Sequence, residues 1–273
     1  MFRSALGSRP VGRVIVTHFH PDHMGLAGWL CERWGVELWT PQAEWLTGHL
    51  VRLGWSGGDM EQRLLHYRRN GLGEAQIEAF RQRGNGYAQS VTPIPATYRR
   101  IMAGEEIAIN GERWRVIVGQ GHAPEHACLY NPARDLLISG DQVLPKITPN
   151  VSVWPDQPES DPLRLYLASL DHFRPLPDSV LVLPSHGLPF RGIQYRLDQL
   201  AHHHDERLAR AVEACAEPRT AAELIPVLFR RQLDLHQLAF ALGEALAHLH
   251  YLAGLGRLRC ETGPDGILRF VKA

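Results

Sequence analysis

The sequence has few cysteines, no long apolar run and no net charge, and each absence excludes a class of protein. Its 273 residues include four cysteines, Cys31, Cys128, Cys215 and Cys260, with no C-x-x-C pair. Such usage favours free thiols in a reducing compartment over a disulfide framework. No apolar run approaches the roughly 20 residues of a membrane span, and the N-terminus lacks the apolar segment of a secretory signal. We therefore expect a cytoplasmic protein without a membrane contact.

The balance of charges also narrows the choice of partner. Lysine plus arginine and aspartate plus glutamate both number 29, so the formal net charge is zero. No global attraction to nucleic acid follows from this balance. Hydrophobic residues make up 44% of the chain and charged residues 21%, which is ordinary for a globular protein with a core. The length allows one large domain, or a large and a small one.

Potential metal ligands are concentrated in the segment THFHPDHMG, residues 17–25, which follows a short apolar run. Alternate residues of a strand point the same way, so we expect His18 and His20 to face one side. The proline that follows suits the first turn of a helix, which places Asp22 and His23 at the helix start. Imidazole and carboxylate are good ligands for zinc and related metals. This segment therefore predicts a metal site.

Three later segments each place one ligand-type residue beside glycine, just after a short apolar strand. They are Gly121-His122, Gly140-Asp141 and Ser185-His186-Gly187. Residues at strand ends meet at one edge of a sheet, so we expect these side chains to join the first motif there. A single histidine after a strand is more often a core or surface residue. The three segments in this order, after the first motif, indicate one shared site.

Hydrophobic periodicity predicts strands and helices along the rest of the chain. Strands are expected at 11–17, 36–40, 106–109, 114–118, 127–130, 136–139, 180–183, 257–260 and 267–271. Helices are expected at 22–34, 163–173, 193–215, 221–229 and 235–252. Asn110-Gly111 suits the type I′ turn of a hairpin. The consecutive histidines 202–204 diverge around the helix axis, so we interpret them as a solvated face and not as a metal site.

Residues 41–90 form a distinct region of short helices separated by glycines, with frequent arginines and aromatics. Two interpretations stay open for this region. It is either a solvated helical insertion or a cap over an active site that binds an anionic substrate.

A boundary at Glu217-Pro218 separates a tail of two helices and two strands, which suggests a winged-helix module. The predicted domains are therefore residues 1–216, catalytic with a helical cap at about 41–90, and residues 217–273, winged-helix-like.

With these motifs in this order, residues 11–190 resemble the metallo-beta-lactamase superfamily. The resemblance implies an α+β fold, a four-layer αββα sandwich with two sheets face to face and helices outside. It also implies a dinuclear metal site. The ligands of the first ion match His18, His20 and His122, those of the second match Asp22, His23 and His186, and the bridging carboxylate matches Asp141. His126 matches a histidine that the family often has without using it as a ligand, so we expect a structural or supporting role.

Within the superfamily, the tail and the segments around residues 140–145 and 184–187 resemble the beta-lactamase-like subgroup with a C-terminal winged helix. That subgroup includes an endoribonuclease and many uncharacterised bacterial hydrolases. The family usually has several strands before its first metal motif, whereas 17 residues precede His18 here. We therefore expect a first sheet that is truncated, with an exposed edge and weaker support for the site.

The resemblance implies a hydrolase that uses hydroxide held between two divalent metal ions. Zinc is the first expectation, with manganese and iron as alternatives, because histidine and aspartate sites accept all three. Asp22 and Asp141 are the expected catalytic residues, with Asp141 orienting the nucleophile.

The expected substrate is a small ester, thioester or lactone, with Lys146 as a candidate contact for an anionic group. Two alternatives are a phosphodiesterase that acts on RNA and a truncated, non-catalytic family member. A homodimer is a candidate assembly.

Overall fold

The structure, a computed structural model, describes residue 7 and residues 9–55, 60–230 and 232–273. The strands are β1 Val14–Ile15, β2 Leu38–Thr40, β3 Arg99–Arg100, β4 Glu106–Ile109, β5 Glu112–Gly119, β6 His126–Asn131, β7 Leu136–Gly140, β8 Leu181–Pro184, β9 Leu258–Thr262 and β10 Leu268–Lys272. The helices are α1 Pro21–Met24, α2 Ala27–Trp34, α3 Gln42–Leu53, α4 Met60–Arg69, α5 Glu74–Arg83, α6 Gly86–Ser90, α7 Pro162–Leu170, α8 Ile193–Ala214, α9 Ala221–Leu228 and α10 Leu235–Gly254.

The described strands form two main sheets and a separate hairpin. β1, β2 and β3 make a parallel sheet of short strands. β4 to β8 make a second sheet in sequence order, antiparallel except for the parallel β7–β8 pair. The β4–β5 turn has Asn110 at φ 58° and Gly111 at φ 81°, which confirms the predicted hairpin turn with both residues at positive φ. β9 and β10 pair antiparallel.

Hydrophobic clusters on the faces of these sheets define four layers. Between the two sheets lies a cluster made of Ile15, Trp39, Ile101, Ile107, Trp114, Val116, Ala127 and Leu129. The other face of the first sheet packs against α2 through Leu38, Ala27 and Cys31. The other face of the second sheet packs against α7, α8 and α10 in the largest cluster. The order helix, sheet, sheet, helix is the predicted αββα sandwich. Its first sheet has three described strands and its second has five.

The C-terminal helices share a hydrophobic core with the second sheet and with α7 and α8. Leu224 of α9 and Leu246 of α10 lie in the same cluster as Tyr166 of α7 and Leu197 of α8. Side chains of Thr220 and Asp234 cap the starts of α9 and α10. The division into domains at residue 217 and the winged-helix assignment stay predictions.

None of the described helices combines the length and hydropathy that a membrane-spanning segment requires. The four cysteines are free thiols.

The predicted helix at 22–34 is divided into α1 and α2. The carbonyl of Gly25 accepts hydrogen bonds from both the backbone N–H and the hydroxyl of Thr92, each 2.8 Å, and so leaves the helical pattern. The division also rotates the second helix, so that Ala27 and Cys31 are buried while Leu26 is 53% exposed.

The interpretation of residues 202–204 as a solvated face holds for His202, which is exposed, and is wrong for His204, which is fully buried. His204 lies four residues from both Leu200 and Leu208, so it belongs to the core-facing side of α8. Its Nδ1 lies 3.2 Å from Nε2 of His248 on α10. The pair therefore connects the two long helices inside the core.

Replacing His248 is expected to make the free energy of unfolding depend less steeply on pH under acid conditions. The ring is buried, Nδ1 donates to the carbonyl of Glu244 at 2.7 Å, and burial lowers the pKa of His248 to about 4. An unfolded histidine has a pKa of about 6.5, so the unfolded state binds the proton first as pH falls. The stability contributed by neutral His248 is thus complete above pH about 6.5 and is lost as pH falls toward about 4.

In His248→Asn, the free energy of unfolding should fall with pH less steeply in this window, by up to about 1 kcal/mol per pH unit. Urea denaturation of the metal-free protein across the window measures the slope. The exposed His202→Asn on α8 is the matched control and should keep the wild-type slope. An unchanged slope in His248→Asn would contradict the assignment.

Candidate metal centre

The seven side chains predicted as ligands converge at one edge of the sandwich. Their ligand atoms fall into two groups, and within each group all of them lie within 4.8 Å of one another. The first group is His18, His20 and His122, and the second is Asp22, His23, Asp141 and His186. The structure thus brings together all seven residues. Their assignment as metal ligands stays a prediction.

Each ligand segment leaves a strand at the same edge. The first motif follows β1, and the carbonyl of Thr17 accepts a hydrogen bond from the N–H of Ala127, 2.9 Å away at the start of β6. His20 precedes α1 and has an extended ψ of 150°, after which Pro21 begins the helix. His122, Asp141 and His186 follow β5, β7 and β8. The local sequence therefore places each side chain at the end of a strand, and the sheet topology brings these strand ends together.

The glycines beside the later ligands have a structural reason. Gly140 has φ 52°, and a Cβ there would lie 2.5 Å from the ring of His126. Gly121 has φ 88°, and a Cβ there would lie 2.4 Å from the carbonyl oxygen of Pro162. Both positions thus combine the left-handed backbone region with a close approach, and only glycine accommodates the two together. The glycines in the sequence pattern mark sharp exits from the strands.

The carboxylate of Asp141 lies between the two groups. Its Oδ2 is 3.6 Å from Nε2 of His122 and 3.3 Å from Nε2 of His186. Its Oδ1 is 3.4 Å from Nε2 of His23. Asp22 Oδ2 completes the second group at 3.1 Å from His186 Nε2. Asp141 is therefore placed to contact ions in both groups.

Three buried atoms at this position have no hydrogen-bond partner in the part of the chain that the structure describes. They are Nε2 of His20, Nε2 of His23 and Oδ1 of Asp141. Buried polar atoms are nearly always paired, so three such atoms at one position require a missing partner. Imidazole nitrogens and carboxylate oxygens are the donors that zinc, manganese and iron accept. The residues present therefore fit divalent metal ions.

The protonation states of the two groups differ. Burial, reinforced by neighbouring imidazoles, lowers the pKa of three histidines: His18, His20 and His122. These rings are thus neutral at neutral pH, which is the form that binds a metal. Burial also opposes the charge on His23, but the carboxylates of Asp141 and Asp22, each with an oxygen 3.4 Å from its Nε2, outweigh burial and raise the pKa of His23 to about 9. The carboxylates of the second group thus favour the charged form of this histidine.

Contacts behind the ligands fix their orientation. Nδ1 of His122 donates to the carbonyl of Asn150 at 2.8 Å, which leaves Nε2 toward the site. The hydroxyl of Thr17 lies 3.0 Å from Nδ1 of His18. Nε2 of His126 accepts the backbone N–H of Asp141 at 3.0 Å. His126 thus holds the backbone of a predicted ligand, as expected for a supporting residue.

Glu44 on α3 joins the two loops that carry the first group, and the sequence interpretation missed it. Its carboxylate is fully buried and accepts the N–H of Phe19 at 2.9 Å and the N–H of Glu125 at 2.6 Å. Burial raises the pKa of Glu44 to about 7. Its partners are backbone groups, which every residue type presents, so no motif indicates this role.

A second support comes from the C-terminal part of the chain. The backbone carbonyl of Asn150 orients His122, and its side-chain NH₂ group donates a hydrogen bond to Glu244 of α10 at 3.3 Å. Glu244 is buried and forms an ion pair with Arg207 of α8. The orientation of a predicted ligand therefore depends on two helices that follow residue 190. Their distance in sequence explains why the motif pattern gives no indication of this link.

A cavity of about 800 Å³ begins at His20 and His122 and extends beneath the 41–90 helices to α10. Its apolar lining includes Met60, Leu64, Phe80, Trp154, Leu165 and Phe240. Residues of the 41–90 region thus form part of the cavity wall, and its interpretation as a cap stays a prediction. Lys146, proposed from sequence as a contact for an anionic group, is exposed and does not line the cavity.

Comparison with known proteins agrees with this geometry. The family model "Metallo-beta-lactamase superfamily" matches residues 1–186, and the model "Metallo-beta-lactamase-like, C-terminal domain" matches residues 208–273. The chain is similar to a beta-lactamase domain protein from Burkholderia ambifaria, with 46% identity and a TM-score of 0.90 over 97% of this chain and 76% of that one. It is also similar to a metallo-beta-lactamase family protein from Thermus thermophilus, with 31% identity and a TM-score of 0.80 over 96% of this chain and 80% of that one.

Replacing Glu44 by glutamine is expected to destabilise the metal-free protein by about 1–3 kcal/mol, because one carboxylate oxygen becomes an NH₂ group that faces a buried N–H donor. Urea denaturation measures the change in the free energy of unfolding. The control is Glu78→Gln on α5, whose exposed ion pair with Arg81 should contribute much less to stability. Wild-type stability in Glu44→Gln would show that the two loops do not depend on this carboxylate.

Proposed function

Because the chain belongs to the metallo-beta-lactamase superfamily, we propose that it is a metal-dependent hydrolase. The observation that carries the proposal is the position of Asp141 between two groups of ligand atoms, next to buried nitrogens and an oxygen without partners among the described residues. A non-catalytic family member would not need all seven side chains in this arrangement. The completeness of the site therefore argues against that alternative.

The two groups would each hold one divalent ion, with His18, His20 and His122 in the first and the remaining four residues in the second. Such ions supply Lewis acidity, which makes water a nucleophile near neutral pH and polarises a carbonyl or phosphoryl oxygen. Zinc is the ion we propose. Manganese and iron suit the same donors.

Asp141 would orient the attacking water and accept its proton. Burial alone would raise the pKa of Asp141, but His23, whose Nε2 lies 3.4 Å from Oδ1, and the other nearby imidazoles outweigh burial and lower it. Asp141 is thus ionised at neutral pH and able to accept a proton. His23 also lies 3.4 Å from Oδ2 of Asp22 and lowers the pKa of that carboxyl, so this second carboxylate also carries charge. Asp22 and His186 are exposed, which gives water access to this side of the site.

The substrate we propose is a small ester, thioester or lactone. The cavity ends on His20 and His122 and has a largely apolar wall, which suits a small organic molecule with its reacting bond at the site. Helix α10 forms part of this wall and carries no lysine or arginine. This helix therefore offers no basic group to the phosphates of RNA. The experiment that follows would detect cleavage of RNA if RNA were the substrate instead.

A hydrolysis screen of the zinc-loaded protein tests the function. Thioesters, lactones, a phosphodiester and single-stranded RNA are offered in parallel, and we expect turnover of thioesters or lactones that changes little with salt concentration. His20→Ala and Asp141→Ala should each reduce the rate by at least about a hundredfold, because each removes a predicted ligand. The exposed His202→Ala is the control. Cleavage of RNA alone would overturn the substrate class, and full activity in both ligand variants would overturn the mechanism.

A further inference from the structure

The wall of the cavity is largely apolar but contains positive charge. Arg63 of α4 and Arg83 of α5 both line it, together with Tyr67 and His236. Arg63 is half-buried and lies one helical turn before Tyr67 on α4. Nη2 of Arg83 lies 2.9 Å from Nδ1 of His236 at the start of α10. Two guanidinium groups thus reach the cavity from neighbouring helices of the cap.

These charges have no structural partner of opposite sign among the described residues. Other arginines of the same two helices do have one: Arg68 pairs with Glu74, and Arg81 pairs with Glu61. No salt bridge connects Arg63 or Arg83 to a described carboxylate. The described lining includes one carboxylate, that of Asp156, which is exposed. A positive charge that faces an apolar cavity is well placed to bind an anion on a ligand, because guanidinium forms strong hydrogen bonds to carboxylate and phosphate.

Tyr67 contributes to the same position. Its ring is buried against Phe80, with ring centroids 4.8 Å apart. Burial raises the pKa of the Tyr67 phenol, while Arg63 and Arg83, which line the same cavity, act in the opposite direction. The phenol therefore stays protonated at neutral pH and can donate a hydrogen bond to an anion held by the arginines.

We propose that Arg63, Arg83 and Tyr67 form a subsite for an anionic group, carboxylate or phosphate, on the substrate. The substrate is then an ester or thioester with an apolar chain that runs from the reacting bond through the cavity to that anion. The inference rests on the proposed hydrolase function, since the reacting bond is placed at His20 and His122. It replaces the exposed Lys146 as the anion contact and names the class of substrate that the cavity selects.

A matched pair of esters tests the subsite in the zinc-loaded protein. Mono-p-nitrophenyl suberate and p-nitrophenyl octanoate have the same chain length and differ in the terminal carboxylate. We expect wild type to prefer the anionic ester by about tenfold or more in kcat/KM, as charge-assisted hydrogen bonds allow. The preference should fall to about one in the double variant Arg63→Met/Arg83→Met.

The matched control is Arg69→Met/Arg81→Met, which removes two arginines of the same helices that do not line this cavity. It should keep the wild-type preference. A wild-type preference for the neutral ester, or an equal preference in both double variants, would overturn the subsite.

Binding of monomethyl suberate by calorimetry separates failure of the subsite from failure of the proposed function. If neither ester is hydrolysed, the proposed ester chemistry fails while the subsite is still measurable. Binding that is at least about tenfold weaker in Arg63→Met/Arg83→Met than in wild type and the control would support the subsite. Equal binding in all three proteins, or no binding in wild type, would overturn it.

Discussion

The structure depends on one constraint: seven polar side chains must meet at one edge of the sandwich in two groups of potential ligand atoms. Asp141 lies between the two groups, and buried atoms of His20, His23 and Asp141 have no partner among the described residues. Leaving such atoms unpaired costs about 1–3 kcal/mol for each group. The divalent ions that we propose for this site would supply the missing contacts. The surrounding contacts hold the seven side chains in position.

Support for the site comes from three separate parts of the chain. Glu44 of α3 joins the loops of His18 and His122, His126 in the second sheet holds the backbone of Asp141, and Glu244 of α10 holds Asn150 behind His122. Helices α3 to α6 and α10 also line the cavity that reaches His20 and His122. These helices therefore connect the cavity wall to the geometry of the predicted ligands.

The site was predicted far better from the sequence than its supports were. Three of the seven residues, His122, Asp141 and His186, stand beside a glycine after a strand, and Gly121 and Gly140 have backbone conformations that other residues avoid. The sequence thus predicted that the seven side chains meet, while their assignment as metal ligands stays a prediction. The sequence did not indicate the roles of Glu44 and Glu244. Glu44 binds backbone groups, which form no motif, and Glu244 binds Asn150, which is distant in sequence. The alternation of strands and the Asn110-Gly111 turn were predictable from local pattern. The prediction for His204 was wrong because the three consecutive histidines were treated as one group, although they lie on different sides of the helix.

Anomalous diffraction from a zinc-loaded crystal tests the central claim most directly. Two peaks are expected at this edge of the sandwich, one within about 2.1 Å of nitrogens of His18, His20 and His122 and the other within a similar distance of His23 and His186. Oxygens of Asp141 should contact both peaks. A single peak, or peaks that do not contact Asp141, would contradict a dinuclear centre organised around this carboxylate.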